Sequence, residues 1–225
     1  VGFEKGGITA DIKDKPGIKG IVEWRSSNYE LYGDMSRRMY QVLEAGFPAV
    51  EPYSIDEMFL DMRGLNDLVG RSVEIRDEVR RVAKIPTCVG IGPTKTIAKL
   101  ANGVAKDDPA GIGVCDMSTA EQRAKLYRDL PLGEVWGMGG QSCKKLARLG
   151  VETVADFVAM PSEEVRKNLT VTGLRTQAEL RGQSCLQMAF APPPKKMLAV
   201  TRSFGRTITD KEEMRQALAT YAEIA

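Results

Sequence analysis

Histidine is absent from the 225 residues, and that gap removes Ser-His and Cys-His nucleophilic catalysis together with His-rich zinc sites. An enzyme built on this chain works with carboxylates, lysine, arginine, tyrosine or bound metal. Cysteine is scarce. The four cysteines, Cys88, Cys115, Cys143 and Cys185, stand far apart with no paired metal-ligand spacing, so they read as reduced thiols of a cytosolic protein. Long apolar runs are missing too: no window approaches the roughly 18 residues a spanning helix needs, so no membrane partner is expected. Val1 to Gly7 offer no apolar core, and no signal peptide is expected either. Excess charge of one sign is also lacking. With 32 Lys and Arg against 30 Asp and Glu the net charge is +2, so any nucleic-acid footprint has to be local.

What remains is an ordinary globular composition, 43% hydrophobic and 28% charged, long enough for one or two domains. Residues 1 to 20 are rich in Gly and Lys and read as loop, with a short strand expected at Ile18 to Trp24. Ser26-Ser27-Asn28 offers caps for a helix over Tyr29 to Glu44, with Leu31, Met35, Met39 and Val42 as its core stripe and Gly46 and Pro48 ending it. Ala49, Val50 and Tyr53, then Met58, Phe59 and Leu60, suit two paired strands. An amphipathic helix is expected over Gly64 to Ala83, with Leu68, Val69, Ile75, Val79 and Val82 inward. A buried strand at Thr87 to Gly92 follows, then a helix from Thr94 to Ala105 burying Ile97, Leu100, Ala101 and Val104. This alternation indicates an α/β or mixed α+β layer structure up to about Cys115. From Ser118 the pattern changes to short helices, including Ser142 to Leu149 closed by Gly150 and Val154 to Met160 stopped by Pro161. Pro192-Pro193-Pro194-Lys195-Lys196 is a linker favouring polyproline II. A strand over Met197 to Phe204 and a helix from about Lys211 are expected after it.

Three stretches carry candidate chemistry. Asp56 and Glu57 fall at or near the tip of the expected hairpin, where they are either a solvated turn or two ligands of one metal site. Adjacent strand residues point to opposite faces, so the second reading requires either a bend at that place or a third acid supplied by the partner strand. Gly90-Ile-Gly-Pro-Thr-Lys-Thr resembles a P-loop but lacks Gly directly before Lys95. What is left is a helix start with Thr94, Lys95 and Thr96, and with Lys99 and Lys106 farther along. It suits either a phosphate or plain solvent. Gly137-Met138-Gly139 lets backbone approach a phosphate, with Lys144, Lys145 and Arg148 just behind it. The alternatives are a clamp on a nucleic-acid backbone and a tight turn that merely packs.

Taken in order, Ser27-Asn-Tyr-Glu-Leu-Tyr32, Tyr53-Ser-Ile-Asp-Glu-Met-Phe-Leu-Asp61, Val89-Gly-Ile-Gly-Pro-Thr-Lys-Thr-Ile-Ala-Lys-Leu-Ala-Asn102, Val135-Trp-Gly-Met-Gly139 and Ser203-Phe-Gly-Arg206 resemble successive landmarks of the Y-family translesion DNA polymerases, and within them the UmuC-type branch. The resemblance implies a palm over 25–117 holding the acidic β-hairpin, and a small all-helical thumb with a helix-hairpin-helix turn over 118–190. A Pro-rich linker over 191–197 and the start of an α/β little finger over 198–225 complete it. It implies error-prone, DNA-directed synthesis in DNA repair and the SOS response, by two-metal nucleotidyl transfer onto a primer 3′-hydroxyl. Asp56 and Glu57 match two of the family's three metal-binding carboxylates, and magnesium is the implied cofactor. Lys106 matches the lysine that contacts the nucleotide triphosphate. Asp61 matches an acid of structural rather than catalytic use. Gly137, Gly139, Lys144, Lys145 and Arg148 are the implied DNA contacts.

The implied partners are primer-template DNA, deoxynucleoside triphosphates, a UmuD-type dimer, the RecA filament and a sliding clamp, in the bacterial cytoplasm and on the nucleoid. The family's first Asp-bearing strand and its fingers have no convincing match in residues 1 to 24, which stand as a fingers remnant or an unrelated leader. Two carboxylates leave a metal site one ligand short, so this chain by itself is expected to be inactive. The competing reading is a non-catalytic DNA-binding or regulatory relative.

Overall fold

In the computed structural model, residues 23, 25–107, 111–189 and 196–224 are described. The strand expected at Ile18 to Trp24 and the proline run from Pro192 to Pro194 lie outside them. The chain divides into two units, Val1–Met188 and Ala189–Ala225.

In the first unit, helix α1 (Tyr29–Gly46) starts where the Asn28 side chain accepts the Leu31 amide at 3.1 Å, an N-cap that satisfies one of the first-turn donors. Strands β1 (Val50–Pro52) and β2 (Met58–Leu60) pair antiparallel in the register Val50↔Leu60, Glu51↔Phe59, Pro52↔Met58. Helix α2 (Leu68–Ala83) is capped by Asp67, whose carboxylate accepts the Gly70 amide at 3.0 Å. Met39, Leu43, Phe47, Val50, Ile75, Val79 and Ala83 form the core where α1, α2 and β1 meet. Two expectations are corrected at this core. Leu31 is 51% exposed and Val82 45% exposed. The first turns of α1 extend past the burying face, with Tyr29 and Tyr32 also exposed. On α2 the face runs Ile75, Val79, Ala83 at four-residue steps, which turns Val82 outward.

Strand β3 (Val89–Ile91), helix α3 (Lys95–Asp107) and strand β4 (Val114–Asp116) form a β-α-β unit with the strands parallel, the connection such pairing requires. Gly90 makes it close-fitting, because a Cβ there would collide with the Ala98 carbonyl and the Asn102 amide of α3. The Gly-rich stretch that resembled a phosphate loop therefore serves helix–strand packing.

The helical half comprises α4 (Ala120–Tyr127), a 3₁₀ turn (Leu132–Glu134), α5 (Gly140–Ala147), α6 (Val154–Ala159) and α7 (Ser162–Leu180). Capping boxes Thr119/Gln122 and Thr153/Asp156 start α4 and α6. Helix α7 was not expected from the sequence pattern, and it is broken at Thr170 (φ 65°, ψ −163°). Ile97, Leu100 and Ala101 of α3 share one core with Met117, Tyr127, Leu132, Leu146, Phe157, Val165 and Leu180, so α3 is packed on both sides.

In the second unit helix α8 spans Lys211–Ile224, with the Asp210 carboxylate accepting the Glu213 amide at 2.8 Å. The strand expected at Met197 to Phe204 is not formed. Those residues are irregular, and all but Val200 are exposed. A lone extended segment without a pairing strand has nothing to satisfy its backbone groups except water.

No helix among the described residues is long and apolar enough to cross a membrane.

Candidate metal and nucleotide site

Asp56 and Glu57 sit on a tight tip. The Tyr53 and Ser54 amides both donate to the Glu57 carbonyl at 3.0 Å, which closes the β1–β2 turn. Asp56 is exposed, and its Oδ1 accepts the Ser54 hydroxyl at 2.7 Å. The Oε2 of Glu57 lies 2.8 Å from the Lys99 ammonium. Asp61 is engaged elsewhere, because the Arg63 guanidinium donates to both its oxygens and holds its carboxyl below the usual carboxylate range.

The hairpin is joined to α3 by lysines one turn apart. The Lys95 ammonium reaches both oxygens of Glu51 at 2.7 and 2.5 Å, and the Gln187 carbonyl at 2.7 Å. Lys99 lies 4.4 Å from the Tyr53 ring centre and 5.2 Å from that of Trp136, while Lys95 lies 5.0 Å from Phe59. Tyr53, Phe59 and Trp136 pack mutually, with Tyr53 and Trp136 at 5.2 Å and 78°. Trp136 immediately precedes the Gly137-Met138-Gly139 turn, so the hairpin tip and that turn share an aromatic cluster.

The first turn of α3 is capped from α7. The Oε2 of Glu179, which is 1% exposed, accepts the Thr96 amide at 3.2 Å. Its Oε1 accepts the amides of Cys185 at 2.5 Å and Leu186 at 3.1 Å. The Thr94 hydroxyl donates to the Glu179 carbonyl at 3.0 Å.

Lys106 is exposed in the last turn of α3. Gly137 has φ +86° and Gly139 is the N-cap of α5. Lys144 and Arg148 are exposed on and just after α5, and Lys145 donates to the Asn168 carbonyl at 2.8 Å. Of the acids and lysines singled out in sequence, the structure brings Glu57 and Lys99 together. Glu51, Trp136 and Glu179 were missed. The i, i+4 spacing of Lys95 and Lys99 was the visible signal that one helix face meets acids. Nothing local marks Glu179 as buried.

Magnesium fits the chemistry of this donor set in part. Adjacent carboxylates are hard oxygen donors, and Glu57 already holds a cation in the form of the Lys99 ammonium. No cluster of three or more His, Cys, Asp or Glu able to hold a metal occurs among the described residues.

The architecture has solved counterparts. A DinB-family error-prone DNA polymerase from Sulfolobus solfataricus superposes with a TM-score of 0.67 at 21% identity, over 84% of this chain and 56% of that one; the fold is that of a Y-family polymerase. Residues 12–103 match the impB/mucB/samB family. Protein ImpB of Salmonella typhimurium is 44% identical over 206 residues, 89% of this chain and 48% of its own length. Protein UmuC of the same species is 43% identical over 201 residues, 88% and 48% respectively. The chain belongs to the impB/mucB/samB family. It spans about half the length of these curated relatives.

Proposed function

We propose that this chain carries the metal-binding hairpin and part of the DNA-binding surface of an error-prone, UmuC-type DNA polymerase acting in translesion synthesis during the SOS response. The observation that supports this best is the hairpin itself, which carries Asp56 and Glu57 at its tip with Glu57 against Lys99 of α3. In this reading 25–117 are palm, 118–190 thumb, and 198–225 the start of the little finger. Asp56 and Glu57 would hold Mg²⁺ together with a carboxylate from outside the described residues. Bound there, magnesium would activate the primer 3′-hydroxyl and stabilise the pyrophosphate leaving group.

The chain's own residues do the rest. Lys106, seven residues and so about 10 Å beyond Lys99 along the same helix face, offers a mobile positive charge to the triphosphate. Gly137 and Gly139 open the backbone to a DNA phosphate at the start of α5, and Lys144, Lys145 and Arg148 add charge behind it. Tyr53, Phe59 and Trp136 give the tip an aromatic support against which Lys99, the partner of Glu57, is held. A UmuD-type dimer, the RecA filament and a sliding clamp are the proposed protein partners, in the bacterial cytoplasm.

The test is metal-dependent primer extension past a template lesion by a full-length protein containing this chain. Asp56→Ala and Glu57→Ala are each expected to lower the rate by a factor of at least 100, since removing one preorganised electrostatic contact at a transition state costs about that much. Full activity in either variant would sink the assignment. The 225-residue chain alone is expected to extend poorly, having two carboxylates at the tip.

A further inference from the structure

Lys95 and Lys99 lie on the same face of α3, yet their surroundings differ. The Lys95 ammonium is enclosed by three oxygens, two from Glu51 and one from Gln187, and its side chain is 11% exposed against 9% for Glu51. Lys99 has one carboxylate oxygen, that of Glu57, and two ring faces, Tyr53 and Trp136. Water reaches this pair from the acid's side, because the Glu57 side chain is 37% exposed and that of Lys99 is 19% exposed. The lysine is thus closed in by rings while the carboxylate is open to a newcomer.

We propose that Lys99 is the resident counter-cation of Glu57, and that a divalent cation arriving at Glu57 breaks this ion pair and leaves the ammonium held by the Tyr53 and Trp136 rings alone, so that the Gly137-Met138-Gly139 turn registers occupancy of the hairpin. The inference rests on the reading of Glu57 as a divalent-cation ligand. Two cations on one carboxylate repel, and the ring quadrupoles give the ammonium a partner to keep. Trp136 is suited to report the exchange. Its neighbours Val135 and Met138 are anchored in the core at 2% and 8% exposure, whereas Trp136 itself is partly exposed beside Gly137, whose positive φ marks a sharp turn. Linkage then makes the effect reciprocal: whatever factor the divalent cation imposes on the lysine contact, the lysine imposes on the cation's affinity.

The experiment uses a full-length protein containing this chain, with Trp24 and every tryptophan other than Trp136 replaced by Phe. Mn²⁺ binding is measured by electron paramagnetic resonance of the free ion, and Trp136 emission is followed on addition of Mg²⁺, which does not quench by paramagnetism. Lys99→Met is expected to bind Mn²⁺ on the order of fivefold tighter, the low end of ordinary coupling between sites, and to lose the Mg²⁺-dependent change in emission. Lys99→Arg, which keeps both the charge and the ability to stack, should retain wild-type behaviour. Glu57→Gln should abolish the binding and the emission change. If Glu57→Gln abolishes binding but Lys99→Met leaves affinity unchanged or weaker, the counter-cation role is overturned while the carboxylate assignment stands. Lys99→Arg behaving like Lys99→Met, or a wild-type emission indifferent to saturating Mg²⁺, also overturns it. Mn²⁺ binding indifferent to Glu57→Gln overturns both readings.

Discussion

Replacing Glu179 by glutamine tests what joins the α7 helix to the helix that carries the lysines. The carboxylate is 1% exposed and accepts three backbone amides, Thr96 on one oxygen and Cys185 and Leu186 on the other. Hydrogen bonds to a charged acceptor contribute about 1.5–3 kcal/mol each. A glutamine of the same shape keeps one oxygen, best placed on Cys185 and Leu186, and turns its NH₂ toward the Thr96 amide, donor against donor. The loss of one charged bond and the weakening of two come to about 2–4 kcal/mol, from which the relief of burying a charge subtracts, leaving a net cost of about 1–3 kcal/mol. In a protein of this size that lowers the Tm by about 3–10 °C. Glu179→Ala orphans all three amides and leaves a cavity, for about 3–5 kcal/mol. Denaturation followed by circular dichroism measures the cost. Hydrogen exchange locates it, with protection lost in the first turn of α3 and around residues 185–186 and retained at the β1–β2 hairpin. A Glu179→Gln protein within about 0.5 kcal/mol of wild type, the range of ordinary surface changes, would refute the capping argument.

Gly90→Ala should lower the Tm and the soluble yield, because the added methyl meets the α3 backbone at Ala98 and Asn102 rather than a side chain that can move; an unchanged Tm would contradict the close-packing account. Tyr127 is 4% exposed, donates its hydroxyl to the Leu180 carbonyl at 3.1 Å, and has its pKa pushed up to about 12 by burial. The unfolded chain releases that proton near pH 10, so the stability it lends is full below about pH 10 and drains away as pH rises to about 12; alkaline unfolding of Tyr127→Phe should lack this component, and equal profiles would refute it.

How much of this was legible follows from how local each determinant is. The acidic hairpin could be read because β-formers flank two turn-compatible acids, and the α1 start could be read because Asn28 caps within three residues. Gly90 and Gly92 were visible but suggested a phosphate, since a glycine's freedom looks the same in sequence whether a ligand or a helix approaches it. Leu31 and Val82 were placed in the core by spacing alone, and spacing does not reveal how far along α1 the covering helix extends, nor resolve a rotation of one residue. The strand at Met197 to Phe204 followed composition, yet a strand exists only with a partner. Glu179 was illegible for the opposite reason: a charged residue in a helix reads as solvated face, and its partners lie six residues away in one direction and 83 in the other.

Those partners explain why the unread residues converge on α3. Its buried face, Ile97, Leu100, Ala101 and Ala105, fixes the helix against two layers, and Lys95 and Lys99, four residues apart, then point together at the hairpin acids. A slip of one residue would rotate that face by about 100° and remove the contacts Lys95–Glu51 and Lys99–Glu57 at once. The rotation is set where the helix begins. There Glu179 takes the Thr96 amide, and the Thr94 hydroxyl accepts the Ile97 amide at 3.2 Å while donating to the Glu179 carbonyl. A buried carboxylate on α7 thus determines which lysine meets Glu57, although it lies in a different helix and touches neither residue of that pair.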